Sequence, residues 1–199
     1  MTDVLPERRL GEFLDAVAAR TPHEGAGAVA AVTVASAAAL VAMAARFSEG
    51  NLRSLAVRAD RLRDEVLPLA DADGHAYGAL LAAQRIPRDQ PERRQRIDDA
   101  LEAATDIPVR IAEAGSQVAE MGARLVSEGN PRLIGDAQTA ALLADAATRA
   151  AHGLVRINTD LASRAGVDWA DRAETFRQRA SAAAQSATEK TLSLAERTG

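Results

Sequence analysis

The sequence has no cysteine, only 3% aromatic residues and a single lysine, Lys190. Without cysteine there is no disulfide scaffold, thiol nucleophile, iron–sulfur cluster or thiolate zinc site. The three histidines, His23, His75 and His152, are scattered along the chain, so we predict no metal site. The scarcity of aromatic and β-branched residues leaves little from which to build a sheet.

Length and charge limit the class of protein further. The chain has 199 residues and a net charge of −4. This length suits one domain with a sizeable core, and no linker is long enough to divide it, so we predict a single helical domain over 1–199. The mild acidity argues against a general nucleic-acid binder and against a binder of anionic membranes.

Alanine is the residue that the chain has in excess, with 47 of 199 positions. Because alanine has the highest helix propensity, we predict an all-α fold, an antiparallel bundle of about six or seven helices. Pro68 should kink or break the third helix, and Pro108 should interrupt the fifth. The expected helices cover about 6–20, 25–47, 51–69, 72–85, 91–127, 133–165 and 168–197.

The 21 residues from Gly25 to Ala45 carry no charge and are long enough to cross a bilayer. Only six of them are Val, Leu or Met, so their summed hydrophobicity is low. We interpret the segment as a helix buried all round inside a bundle and not as a membrane span. Residues 1–10 contain no apolar signal-peptide core, and we expect a cytoplasmic protein.

This uncharged helix also predicts self-association. Helical spacing divides its apolar residues into two stripes. One stripe can face the core of its own chain, while the other needs a second surface, for which the same helix of a two-fold related copy is self-complementary. We therefore expect a homodimer. The first stripe is Ala30, Val34, Ala37, Val41 and Ala44; the second is Val29, Val32, Ser36, Leu40 and Met43.

A glycine-containing turn precedes this helix, with Thr21, Gly25 and Gly27 as its candidate functional residues. The N-terminus of a helix presents unpaired N–H groups and the positive end of a dipole, so it can hold an anion. The alternative is a plain turn whose glycines supply positive φ angles. Glu24 favours that alternative, because it would repel an anion.

A second candidate pair is Asp73 and Tyr77, four residues apart and therefore on one face of the fourth helix. His75 points away from that face. A carboxylate can stabilise a cation, orient water or carry a proton. From the residues alone, an N-terminal cap of the helix is the favoured interpretation of Asp73.

Asp136 and Asn158 are further candidates on the sixth helix. They share a face, but 22 residues of helix place them about 33 Å apart. Either Asn158 belongs to a different pocket, completed by another subunit, or one of the two is structural. Asp136 could equally cap the start of the sixth helix. The arginines in the polar link at 85–96 favour a solvated connection; the alternative is attraction of an anionic substrate.

Several segments, in this order, resemble the cyclodeaminase/cyclohydrolase family of folate-processing proteins, which includes the C-terminal domain of formiminotransferase-cyclodeaminase. The resemblance covers roughly residues 10–165. It rests on EFL followed by TP and the glycine turn, then MAARF, DADGHAY, IPVRIA, GNPRLIGD and VRIN.

The resemblance implies a dimeric, cofactor-free enzyme that opens or forms the methenyl bridge of tetrahydrofolate, as a cyclohydrolase or a cyclodeaminase. It implies catalytic roles for Asp73 and Asp136. Substrate binding would fall to Thr21, Gly25, Gly27, Tyr77 and Asn158.

The sequence departs from the family pattern in the glycine turn and at Gly135 and Leu154. In the turn, Glu24, Ala26 and Ala28 replace a proline, a glycine and a serine. These departures support an alternative hypothesis: a non-catalytic or divergent member that survives as a ligand-binding or partner-binding helical dimer.

Overall fold

The computed structural model describes residues 9–21, 24–164 and 169–198. These ranges contain seven α-helices, two short 3-10 segments and no strand, which confirms the all-α prediction. The 3-10 segments are Gly50–Arg53 and Pro131–Leu133. The helices are α1 (Leu10–Ala18), α2 (Ala26–Arg46), α3 (Ser54–Val66), α4 (Leu69–Arg85), α5 (Arg93–Glu128), α6 (Ile134–Arg164) and α7 (Ala170–Thr198).

The observed helix ends follow the proline and glycine signals. The one difference that affects a candidate site residue is the start of α4. Pro68 separates α3 from α4, as predicted, but α4 begins at Leu69 and not near residue 72. Asp73 therefore lies in the second turn of α4, so it is not the N-cap of its own helix. The predicted start of the first helix at residue 6, the end of the sixth at residue 165 and the start of the seventh at residue 168 lie outside the described residues.

The predicted interruption at Pro108 is wrong. Helix α5 runs without a break from Arg93 to Glu128 with Pro108 inside it. Proline removes the N–H that would bond to the carbonyl of Ala104 one turn earlier. In the folded chain that carbonyl accepts a hydrogen bond from Nδ2 of Asn158 on α6, at 2.7 Å. Tertiary packing thus compensates the local defect.

Helix α2 lies in the core on one side only, so the prediction that it is buried all round is wrong. All five residues of its first stripe are buried, whereas all five of its second stripe are partly or largely exposed. Among the described helices, α2 is the one long and apolar enough to cross a membrane. Its most apolar 18 residues have a mean hydropathy of 2.2, and 61% of them are buried. A mostly buried core helix passes the same test of length and composition.

Small residues let α5 and α6 pack closely. A Cβ added to Gly122 of α5 would lie 3.0 Å from the backbone nitrogen of Ala141 and 3.1 Å from the carbonyl oxygen of Ala137, both on α6. Two turns earlier on α5, a Cβ on Gly115 would lie 2.3 Å from the hydroxyl oxygen of Thr148 on α6. The long α5–α6 pair is therefore fixed at a short separation, and it forms one wall of the site described next.

Helix α7 is held against this pair by polar contacts. Arg172 lies over the ring of Trp169, 5.0 Å from its centroid, and both donate hydrogen bonds to Asp98 of α5. Near the other end, the buried carboxylate of Asp145 on α6 accepts a hydrogen bond from Thr188 at 2.9 Å. These contacts assign Asp145 a structural role.

Candidate functional site

Six of the seven candidate residues from the sequence surround one pocket of about 330 Å³. The pocket lies where the start of α2 meets α4, α5 and α6. Its size is at the lower end of the range typical of small-molecule sites. The lining residues are Thr21, Glu24, Gly25, Ala26, Gly27, Asp73, Tyr77, Ala104, Leu154, Ile157 and Asn158.

Asp73 is the charged group of α4 in this pocket. Its half-buried carboxylate accepts a hydrogen bond from the backbone N–H of Ala28, the third residue of α2. That N–H is one of the four that a helix leaves without an internal partner. Gly25, the N-cap of α2, has no side chain with which to cap it. Asp73 therefore caps α2 from a neighbouring helix, and the helix dipole favours its negative charge.

Burial has the opposite effect on this carboxylate. Removal from water raises the pKa of Asp73 above its ordinary value, and the N–H of Ala28 offsets only part of that rise. A raised pKa makes the carboxylate a stronger base. Asp73 is thus a group that can accept and return a proton, inside a pocket that the N-terminus of α2 also lines.

Gly27 makes room for Asp73. A Cβ at this position would lie 2.1 Å from Oδ1 of Asp73 and 2.5 Å from Oδ2. The glycine is helical, and Gly50 is the residue with positive φ among those the structure describes. The interpretation of Gly25 and Gly27 as a source of positive φ is therefore wrong. What Gly27 provides is close approach.

Tyr77 and Thr21 complete the polar lining near Asp73. Tyr77 lies one turn after Asp73 on α4, and it is 46% exposed, so its ring stands at the edge of the pocket. Thr21 follows α1 and also lines the pocket. His75 is exposed and does not line the pocket, as its helical position predicts. His23 lies outside the described residues.

Helix α6 contributes Leu154, Ile157 and Asn158, which lie at i, i+3 and i+4. Asn158 bonds to the Ala104 carbonyl and also lines the pocket, so it holds both a structural and a site position. In the sequence, Leu154 is apparent only as a departure from the family pattern, and Ile157 is not among the candidate site residues. Their common helical face with Asn158 is the signal that would have placed both in the pocket.

Asp136 is not part of this pocket. It lies in the first turn of α6, at the opposite end from Asn158, where a negative charge is favoured by the helix dipole. Its predicted catalytic role would require a different site. The arginines of 85–96 do not line the pocket either, and Arg93 donates a hydrogen bond to the carbonyl of Ile86 within that link.

A larger groove, of about 590 Å³, runs between α6 and α7. It is lined mainly by polar side chains, including His152, Arg156 and Arg177. It contains none of the candidate residues, so we place the functional site in the smaller pocket. Within the described part of the chain, no group of three or more His, Asp or Glu residues is placed to hold a metal ion.

Comparison with known proteins places the chain among folate-related proteins. The family model for formiminotransferase-cyclodeaminase matches residues 9–172. A methenyltetrahydrofolate cyclohydrolase from Methylorubrum extorquens is 31% identical in an alignment 159 residues long that covers 73% of this chain and 76% of that protein. A formimidoyltransferase-cyclodeaminase from Rattus norvegicus is 30% identical in an alignment 167 residues long that covers 77% of this chain.

The chain matches most of the first relative but only a part of the second. The matched region spans 31% of the rat protein, so the chain corresponds to under a third of that relative. Among solved structures, the formiminotetrahydrofolate cyclodeaminase of Thermotoga maritima superposes with a TM-score of 0.76 at 22% identity. That superposition covers 96% of this chain and 99% of the other, and it establishes a shared fold.

Proposed function

The chain belongs to the formiminotransferase-cyclodeaminase family, and from this we propose that it opens or forms the methenyl bridge of tetrahydrofolate. The observation that carries the proposal is the position of Asp73. A half-buried carboxylate lies at the N-terminus of α2 with Tyr77, Thr21 and Asn158 around the same pocket. The substrates of this chemistry carry a cationic, amidinium-like carbon, which such a carboxylate can stabilise.

In the cyclohydrolase direction, water attacks the methenyl carbon between the two folate nitrogens. Asp73 accepts a proton from that water as the new C–O bond forms. One C–N bond then breaks, the departing nitrogen receives a proton, and a formyl group remains on the other nitrogen. The net reaction consumes one water and releases one proton, and Asp73 returns to its starting state.

In the cyclodeaminase direction, a folate nitrogen attacks the formimino carbon carried by the other nitrogen. Asp73 accepts the proton from the attacking nitrogen and delivers it to the amine that leaves as ammonia. The product is the same methenyl bridge. One carboxylate with a raised pKa therefore serves both reactions, because each needs a proton moved next to the same carbon.

The altered glycine turn supports the rival hypothesis of a divergent, non-catalytic member. Two features of the turn favour the enzyme. Ala28, which replaces a serine in the family pattern, still donates its backbone N–H to Asp73. Gly27 is retained at the one position in the turn where a Cβ would strike the carboxylate. The substitutions at Ala26 and Ala28 thus leave the setting of Asp73 intact.

The proposal includes no cofactor, because proton transfer and charge stabilisation suffice for both reactions. We also propose that the protein is cytoplasmic and has no nucleic-acid partner. We propose no membrane span, because α2 is a core helix of the bundle.

We also propose a homodimer that pairs the second stripe of α2. The support is its exposure: Val29 is 38% exposed, and Ser36 is exposed between two partly buried apolar neighbours, Val32 and Leu40. A two-fold contact would cover this stripe with an identical one.

The test is the absorbance of the methenyl group with purified protein. Loss of absorbance from methenyltetrahydrofolate above the spontaneous rate demonstrates the cyclohydrolase. Gain of absorbance from formiminotetrahydrofolate demonstrates the cyclodeaminase. If neither rate exceeds the spontaneous one, the rival hypothesis holds.

Two variants separate the role of Asp73 from a general effect of charge. Asp73→Asn keeps the shape but removes the base, and we expect kcat/KM to fall by about 10²- to 10⁴-fold. Asp71→Asn removes the same charge two residues earlier on α4, outside the pocket lining, and should retain near wild-type activity. Unchanged turnover in Asp73→Asn would remove Asp73 from catalysis.

A further inference from the structure

The proline in the middle of α5 and the amide in the pocket are linked by one hydrogen bond. In a regular helix the N–H of residue 108 would donate to the carbonyl of residue 104. Pro108 has no N–H, and its ring pushes against that same carbonyl. The carbonyl of Ala104 therefore needs another donor, and Nδ2 of Asn158 supplies it at 2.7 Å.

This bond determines how the carboxamide of Asn158 is oriented. A carbonyl oxygen only accepts hydrogen bonds, so the nitrogen of Asn158 must face Ala104. The oxygen of the same planar group is then the atom left for a pocket ligand. Both Ala104 and Asn158 line the pocket that holds Asp73, so the bond lies at the site itself.

From this arrangement we propose that Pro108 is a positioning residue: it frees the Ala104 carbonyl, which anchors the Asn158 amide and presents its oxygen as a hydrogen-bond acceptor to the substrate. The proposal rests on the proposed folate activity for its kinetic consequence, but the anchoring itself is a property of the folded chain. Pterins and their reduced forms carry N–H groups, which can donate a hydrogen bond to such an oxygen.

Proline in a helix interior is otherwise unfavourable, which gives the proposal a distinctive signature. Pro108→Ala restores the N–H of residue 108 and with it the regular bond to Ala104. We expect the variant to have a raised melting temperature and, at the same time, a lower kcat/KM. A proline with a merely structural role would lose stability and activity together.

The first experiment is a double-mutant cycle on kcat/KM. Asn158→Ala and Pro108→Ala are each expected to lower kcat/KM about tenfold, and the double variant should be no worse than Asn158→Ala alone, because both changes remove the same oriented acceptor. Val109→Ala, on the same turn but buried in the core, is the matched control and should lower stability with kcat/KM unchanged. Effects that multiply in the double variant, or full activity in Pro108→Ala, would overturn the proposal.

The second experiment needs no turnover. The side-chain amide protons of Asn158 are identified by their loss in Asn158→Ala spectra, and their exchange with solvent is followed by NMR. We expect slow exchange in the wild type and in Val109→Ala, and fast exchange in Pro108→Ala. Retained protection in Pro108→Ala would refute the anchoring. A wild-type protein inactive on both folates would instead refute the proposed function, and the exchange rates would still decide the anchoring.

Discussion

At the residue scale, Asp73 experiences two opposing influences. Burial raises its pKa, while the N–H of Ala28 and the positive end of the α2 dipole stabilise its charged form. The net rise shows that the loss of water dominates. The consequence is a carboxyl group that costs the protein stability when ionised, in the pocket where a base is needed.

This cost predicts a pH dependence of stability. The folded chain holds the proton of Asp73 to a higher pH than the unfolded chain does, so this group's contribution to the free energy of unfolding falls as pH rises. The fall begins near the ordinary value of 3.8 and is complete above the raised value. Asp73→Asn lacks this group, so its free energy of unfolding relative to wild type should improve over the same range.

Urea unfolding of the two proteins between acid and neutral pH measures this difference, since the other carboxyl groups are common to both. A difference that does not change with pH would show that burial does not raise the pKa of Asp73.

Gly27 predicts a separable effect on activity. In Gly27→Ala the new methyl group would overlap the Asp73 carboxylate, which must move by more than about 1 Å, and a shift of this size can lower turnover about 100-fold. Stability should not fall much, because alanine is better than glycine in a helix by about 1 kcal/mol. Gly11→Ala, on α1 with open space around it, is the control for expression and folding. Full activity in Gly27→Ala would contradict the close approach described here.

At the scale of elements, the contact of α5 with α6 depends on backbone and not only on side chains. The atoms nearest to a Cβ at Gly122 are a backbone nitrogen and a backbone oxygen of α6, which cannot rotate aside. Any larger residue must therefore separate two helices of 36 and 31 residues.

We accordingly predict that Gly122→Ala lowers the free energy of unfolding by about 1–3 kcal/mol, the range for overpacked cores. Gly153→Ala on α6 is the matched control. Nothing lies within 4 Å of its added Cβ, so the helix propensity of alanine should raise stability by up to about 1 kcal/mol. Urea unfolding compares the two. Equal behaviour of the two variants would show that the helices separate without cost.

At the scale of the whole molecule, α2 divides its residues between two surfaces. The stripe that contains Val34 faces the core, while the stripe that contains Ser36 lies on the surface of the chain. The two residues are neighbours along the helix, yet the structure gives them different partners. Arginine at each position therefore tests a different level of organisation.

Ser36→Arg should give a folded monomer, because a charge on the outer stripe is destabilising only where a second copy would bury it. Val34→Arg should unfold the chain, because Val34 is 0% exposed and the charge would have no partner. Light scattering gives the mass and circular dichroism the helix content. We expect the wild type at twice the chain mass of 20.9 kDa. A wild type that stays at the chain mass at micromolar concentration would refute the dimer.

What the sequence determined by itself is local. Alanine content and helical periodicity predicted an all-α chain. Spacing alone placed Asp73 and Tyr77 on one helix face and divided the apolar residues of α2 into two stripes. These features depend on residues within two turns of one another, where the geometry of the helix is fixed. The separation of α3 from α4 at Pro68 is local as well, because proline disrupts the helix at its own position.

Tertiary structure decided the features that join distant parts of the chain. The sequence could not show that Asp73 caps α2 and not its own helix, because the donor, Ala28, lies on another helix. It predicted a break at Pro108, since a proline leaves a carbonyl unpaired, but Asn158, 54 residues from Ala104, pairs that carbonyl. It placed Asp136 and Asn158 about 33 Å apart on one helix, and the packing of α6 decided that Asn158 is the one that lines the pocket with Asp73. Each of these outcomes depends on which helices pack together, and helical periodicity does not encode that choice.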